Sequence, residues 1–175
     1  NAFDAAVAGG FVLQVVEPHL NGPGGEVPIL FWDEKTRGMQ SICGQGAAPA
    51  LASASTFRGM GFEQVPGIGL LPATVPGAFG AWLTMLRDHG TWRLADVLAP
   101  AIGYARDGFP LIPRAVQAIF AVQDLFREHW TSSAAVWMPG GQLPKPGALW
   151  RLPQLAKTYE RIIETAQSKS STRTG

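Results

Sequence analysis

The residues of this chain that could carry chemistry are few, and their spacing narrows them further. His19, His89 and His129 stand far apart, and none belongs to an H-E-x-x-H pair of the kind that holds zinc on one helix face. Cys43 is the only cysteine, which excludes an internal disulfide and any Cys-rich metal site. No serine sits in a G-x-S-x-G turn, so the nucleophile of an α/β-hydrolase is excluded on local pattern. No metal or cofactor is expected. His89, beside Gly90 at a helix end, reads as a residue that caps carbonyls. His129 reads as a cation in a last helical turn.

Gly22-x-Gly24-Gly25 looks like a phosphate cradle, but it follows a helix and precedes a strand. A nucleotide fingerprint needs the reverse order, strand then glycines then helix. Its other reading is a tight turn that needs positive φ. Asp4 on an apolar helix is either a buried carboxylate or a first-turn acid stabilised by the helix dipole. Glu17, at a helix exit, opposes that dipole; its alternative is simple solvation. The six tryptophans are spread along the chain, which points to packing in cores and interfaces and not to a stacking platform.

The elements that must position these residues follow from periodicity. Phe3, Val7, Phe11 and Val15 recur every fourth position and predict a helix over residues 1–16, apolar on nearly all sides and stopped by Pro18. Residues 27–32 and 39–43 predict a hairpin whose turn ends in Gly38, with Pro28 confined to the strand's beginning or an unpaired edge. Phe79, Trp82, Leu83 and Leu86 mark a helix that starts near Pro76. Leu94, Val97, Leu98, Ile102 and Ala105 mark another, kinked or restarted at Pro100 and ended by Gly108. A third is expected over residues 113–130 through Val116, Ile119, Val122, Phe126 and Trp130, followed by a loop over 138–147. The last helix has Leu152, Leu155, Tyr159, Ile162 and Ala166 on one side and Gln154, Lys157, Glu160 and Glu164 on the other. The fold class is α+β with a mostly helical C-terminal half. Residues 1–50 read as helix plus hairpin, 51–167 as a helical block and 168–175 as a frayed tail, all one piece of a larger domain.

The chain has 175 residues, 46% of them apolar, which can build a core. Lys+Arg 14 against Asp+Glu 13 gives a net charge of +1, without the basic stripe that a nucleic-acid surface needs. No apolar run is long enough to span a bilayer. Gly 21 and Pro 14 occur without a repeat, which reads as many loops. The chain opens at Asn1 without Met, inside a helical pattern, so it reads as part of a longer product whose compartment stays open, the cytoplasm being favoured over the periplasm.

Asn1-Ala2-Phe3-Asp4-Ala5-Ala6-Val7-Ala8, then Val16-Glu17-Pro18-His19 and the glycine-rich loop, resembles the large subunit of the γ-glutamyltransferase family. Ala48-Pro49, Val75-Pro76-Gly77, Leu98-Ala99-Pro100-Ala101-Ile102 and Ala105-Arg106-Asp107-Gly108-Phe109-Pro110 agree in order. The resemblance covers roughly residues 1–165. It implies the large-subunit part of an N-terminal nucleophile hydrolase with an αββα sandwich. Such a proenzyme cuts itself, and the new N-terminal Thr of the small subunit attacks an amide carbonyl, with its own amino group as base and backbone N–H groups as oxyanion hole. The catalytic nucleophile is therefore expected on the partner small subunit, with no catalytic residue in this chain and a dimer of heterodimers as a conceivable assembly.

The resemblance also implies substrate contacts at Gln45, Gly44 and Asn21. In γ-glutamyl-cleaving members the loop after the second strand carries an Arg that clamps the substrate α-carboxylate, and Gln45 stands at that place. Arg has a permanent charge and a bidentate fork; Gln has neither. The loop Asn21-Gly22-Pro23-Gly24-Gly25 also departs from the family's run of glycines. Both departures resemble the branch that includes oxamate amidohydrolase. Three readings stay open: a γ-glutamyl hydrolase or transferase, a small-amide amidohydrolase, and an inactive scaffold that keeps the fold.

Overall fold

The computed structural model describes the backbone of residues 1–171 and side chains through residue 168; residues 172–175 of the expected frayed tail lie outside the described residues. Close packing divides the chain into two units, Asn1–Gly22 with His89 onward, and Pro23–Asp88.

The first unit is built on α1 (Ala2–Val16), α4 (Leu94–Asp107) and α8 (Pro153–Ser171). Asn1 caps α1, its side-chain oxygen accepting from the N–H groups of Phe3 (2.8 Å) and Asp4 (3.0 Å). Asp4 answers by accepting from the Asn1 main-chain nitrogen at 2.8 Å, which completes a capping box. The face of α1 carrying Val7, Phe11 and Val15 is fully buried, while Ala5, Ala6 and Leu13 face outward. An all-round apolar helix was expected to be covered on most sides; here one side of α1 is exposed.

The helix expected to kink or restart at Pro100 is a single element, α4, with Pro100 inside it. A proline within a helix removes one main-chain donor, and α4 offsets that loss by burying Val97, Leu98, Ala101 and Ala105 completely. Gly108 ends it at φ 112, a left-handed conformation that favours glycine. Tyr159 of α8 sits edge-on to Phe11 at 6.0 Å and donates its hydroxyl to Gln14 Oε1 at 2.8 Å. Burial pushes the Tyr159 hydroxyl up to about 12. The buried amide and phenol satisfy each other, as buried polar groups must.

Between α4 and α8, a two-residue pair absent from the sequence reading closes the chain on itself. Strand β3 (Phe109–Pro110) runs antiparallel to β4 (Leu149–Trp150), and Leu111 N–H and Gly147 N–H extend the pairing to Ala148 and Leu111. The single helix expected over 113–130 is α5 (Pro113–Ala121) and α6 (Gln123–Glu128), followed by α7 (Thr131–Trp137). At Val122, φ −115 resets the backbone, and its N–H turns to the carbonyls of Ile119 and Phe120. The apolar period continues across that break, which is why periodicity alone did not reveal it. A 3₁₀ turn over Pro139–Gly141 lies within the expected loop.

The second unit holds the hairpin of β1 (Val27–Asp33) and β2 (Gly38–Gly44), in register from Val27 opposite Gly44 to Asp33 opposite Gly38. Pro28 is the second residue of β1, at its beginning as its missing donor requires. Buried Asp33 organises the turn, accepting from Lys35 N–H (3.0 Å), Thr36 Oγ1 (3.1 Å) and Gln40 Nε2 (2.8 Å). Side chains alternate between faces: Val27, Ile29 and Phe31 are half-buried, whereas Leu30 and Trp32 are exposed. Two helices complete this unit, α2 (Ala54–Gly59), capped by Ser53, and α3 (Ala78–His89). Among the described residues no helix is long and apolar enough to cross a membrane.

Candidate functional site

The sequence candidates separate by unit. Asp4 is an internal tie of the first unit. Its carboxylate is almost fully buried and accepts from Thr91 N–H (2.8 Å), Thr91 Oγ1 (2.8 Å) and Trp92 N–H (3.0 Å) besides Asn1. Burial opposes its ionisation, but the Asn1 nitrogen and the donors of Thr91 and Trp92 outweigh it and hold the carboxyl well below the usual carboxylate range. Both readings of Asp4 meet in one residue, since it is buried and also lies in the first helical turn.

The histidines do not converge. The His89 ring lies against Phe3 at 4.9 Å, and its carbonyl accepts from Asn1 Nδ2. His129 follows α6 at the surface, 3.9 Å from Glu128. His19 lines an apolar groove of about 240 Å³ with Phe126, Trp130 and Trp137. Its ring nitrogens are buried without a hydrogen bond, and Glu17 Oε2 stands 3.7 Å from Nε2. Trp137 in turn stacks on Trp150 at 6.1 Å, a packing role like that expected of the tryptophans. Among the described residues no three His, Cys, Asp or Glu side chains are grouped to hold a metal.

The second unit does bring residues together, around the end of β2. Gly44 is buried, and Gln45 emerges from it with an exposed side chain, its Oε1 3.9 Å from the free thiol of Cys43. Gly44 is packed so tightly that an added Cβ would collide with the Val27 carbonyl and lie 2.6 Å from Ala81 Cβ. A Cβ on Gly46 would collide with the Val75 carbonyl, and one on Gly77 with the Gly44 carbonyl. Val75 N–H donates to Ala47 O at 2.9 Å, so residues 44–47 and 75–77 run side by side. Gly25 joins from the glycine-rich loop: its carbonyl accepts from Gly77 N–H (3.2 Å) and Ala78 N–H (3.0 Å) at the start of α3.

Two glycine loops, far apart in sequence, thus meet at one helix start. Gly22, Gly24 and Gly25 do not take the positive φ expected of a tight turn. The second loop owes its glycines to space, because backbone lies on backbone there. Sequence reasoning singled out Gly44 and Gln45 but missed Gly25, Val75 and Gly77 as their supports; the signal available was Val75-Pro76-Gly77 directly before a helix. Asn21 belongs to the first unit, where its N–H donates to Glu17 O at 3.0 Å. The chemistry that Gln45 can offer is a neutral amide with one acceptor oxygen and an NH₂ donor, on a rigid mount.

Comparison with known proteins places this geometry. Residues 1–169 match the family model for gamma-glutamyltranspeptidase. The chain is 32% identical over 169 residues to the glutathione hydrolase-like YwrD proenzyme of Bacillus subtilis, covering 96% of this chain and 32% of that protein. It is 34% identical over 168 residues to the oxamate amidohydrolase proenzyme of Klebsiella pneumoniae, covering 93% of this chain and 31% of that protein. The solved structure of LmbA2991HD superposes with a TM-score of 0.89 at 51% identity, covering 94% of this chain and 28% of that one. The chain therefore spans about a third of the length of these relatives. Its mixed α and β architecture is that of the family's N-terminal nucleophile hydrolase structures. By the match over almost its whole length, the chain belongs to the gamma-glutamyltranspeptidase family.

Proposed function

We propose that this chain is the large-subunit part of an amide hydrolase or acyltransferase, made as a proenzyme, whose Thr nucleophile lies on a partner small subunit. The observation that carries this reading is the family match over residues 1–169, supported by relatives that are named proenzymes. In this reading the Thr attacks an amide carbonyl, and the present chain binds and orients the acyl part of the substrate. Gln45 and Gly44 make that contact, and Asn21 is a further substrate contact in this reading. Activity in a whole proenzyme carrying this segment, lost when the small subunit's Thr is replaced by Ala, tests the reaction class. A proenzyme that neither cuts itself nor turns over any amide would favour the inactive scaffold.

Gln45 favours a second reading, in which the substrate is a small amide such as oxamate, whose carboxylate adjoins the scissile carbonyl, and not a γ-glutamyl peptide, whose α-carboxylate lies three carbons away from it at the place of Gln45. A Gln amide can donate to a carboxylate, but it brings no charge to offset that group's desolvation. Charge-assisted hydrogen bonds are about twice as strong as neutral ones. An Arg clamp in its place would add about 2–3 kcal/mol to binding of an α-carboxylate, roughly 30- to 140-fold. Wild-type enzyme should handle oxamate better than a γ-glutamyl anilide, and Gln45→Arg should move the ratio of kcat/KM toward the anilide, mostly through KM. Efficient anilide turnover with a ratio unmoved by the substitution would show that another residue is the clamp.

A further inference from the structure

Gln45 is useful to a substrate only if its backbone is held, and the structure shows what lies against it. The Cα of Gly77 packs on the Gly44–Gln45 peptide: a Cβ there would collide with the Gly44 carbonyl oxygen and lie 2.8 Å from the Gly44 carbonyl carbon and 3.0 Å from that of Gln45. One residue further along, Gly46 packs in the same way on Val75, where a Cβ would also lie 2.7 Å from Thr74 Oγ1. Just past the second contact, the Val75 N–H bond to Ala47 O joins the two segments. Gly77 is itself fixed, through its N–H on Gly25 O. None of Gly44, Gly46 and Gly77 takes a left-handed φ. Their glycine identity is therefore a demand for space and not for backbone freedom. Gly59, Gly67 and Gly80, in the same unit, meet open space and face no such demand.

We propose that Gly77 is a positioning residue for Gln45: by admitting direct backbone contact with the Gly44–Gln45 peptide, it sets where the Gln45 amide meets the substrate. This rests on the reading of Gln45 as a substrate contact. A methyl group at residue 77 must push that peptide away, and misplacing a positioning group by roughly 1 Å can cost about a hundredfold. Gln45 is on the binding side of the reaction, so the loss should fall on KM and leave kcat nearly unchanged.

The test is a double-mutant cycle in the whole proenzyme, with oxamate and a γ-glutamyl anilide as substrates. Gly77→Ala and Gln45→Ala should each raise KM by roughly tenfold or more, with kcat changed less than about twofold. The double variant should be no worse than Gln45→Ala alone, because residues that act as a unit are not additive. Gly80→Ala should leave both constants unchanged. If Gln45→Ala raises KM but Gly77→Ala leaves it alone, or multiplies it further in the double variant, Gly77 does not act through Gln45 and the proposal falls while the reading of Gln45 stands. If Gln45→Ala is silent for both substrates, that reading falls and takes this proposal with it. Should Gly77→Ala fail to fold, Pro76→Gly loosens the same segment without adding volume. It should raise KM severalfold, again only while Gln45 is present, and an unchanged KM would overturn the proposal.

Discussion

The two units of this chain are held together by different means. In the first, side chains fill the space between helices: Val7, Phe11, Val15, Val97 and Leu98 are wholly buried, and Tyr159 closes the core with a hydrogen bond to Gln14. In the second, the tightest contacts are backbone on backbone at Gly44, Gly46 and Gly77, and large apolar side chains such as Leu30 and Leu70 stay exposed. A side-chain core tolerates exchange of one apolar residue for another of similar volume. A backbone contact tolerates no side chain at all at its glycines, yet leaves the neighbouring exposed side chain free to differ. Gln45, between Gly44 and Gly46, is such a side chain, which suits a place where specificity is set.

The largest effect expected from this contrast is in the first unit. Phe11→Ala in the whole proenzyme removes a buried ring from the seam with Tyr159 and should cost about 3–5 kcal/mol of stability. A urea midpoint that barely moves would show that the α1–α8 seam is not the core of this unit. Next comes Gly44→Ala, which forces overpacking against Val27 and Ala81 and should cost about 1–3 kcal/mol. Gly59→Ala, in open space, should cost nothing comparable. Equal losses at both glycines would break the distinction between glycines needed for space and glycines that are not.

A pH test sharpens the comparison further. The folded pKa of Asp4 is depressed, so the unfolded chain binds its proton first as pH falls. The stability it contributes is fully present above the ordinary carboxylate range and is lost as pH falls through that range toward the folded value. Asp4→Asn should lower the melting temperature at neutral pH and flatten its decline on the acid side; an acid limb identical to wild type would show that other carboxylates govern it. The smallest effect belongs to the exposed hairpin face. Leu30→Thr, at a position 75% exposed, should shift stability by less than about 0.5 kcal/mol. A larger shift in the whole proenzyme would show that this face is covered there.

Much of the local structure was legible in the sequence because it depends on neighbours along the chain. The fourfold spacing of Phe3, Val7, Phe11 and Val15 marks α1, because a periodic apolar face reports the period of the element itself, and the short apolar run over residues 27–32 before a polar turn marks β1. The break at Val122 was not legible, since the apolar pattern runs on through it while the backbone resets. That α4 would not restart at Pro100 was not legible either; local rules favour a break there, and burial of Val97, Leu98, Ala101 and Ala105 on both sides of the proline keeps it one element. Of the candidate site, Gln45 and Gly44 were named through resemblance, and nothing in their own spacing pointed to them.

By itself, then, the sequence determined the apolar stripes, the hairpin turn that ends in Gly38, and the neutral amide at residue 45. These follow from residue types within a turn or two of one another. Only the tertiary structure decided that Gly25, Gly44, Gly46 and Gly77 serve one arrangement, and that Asp4 ties α1 to Thr91 and Trp92. The reason is physical: a glycine carries no side chain whose type could announce its partner, and a carboxylate does not reveal which distant N–H groups it accepts from until the chain has folded around it.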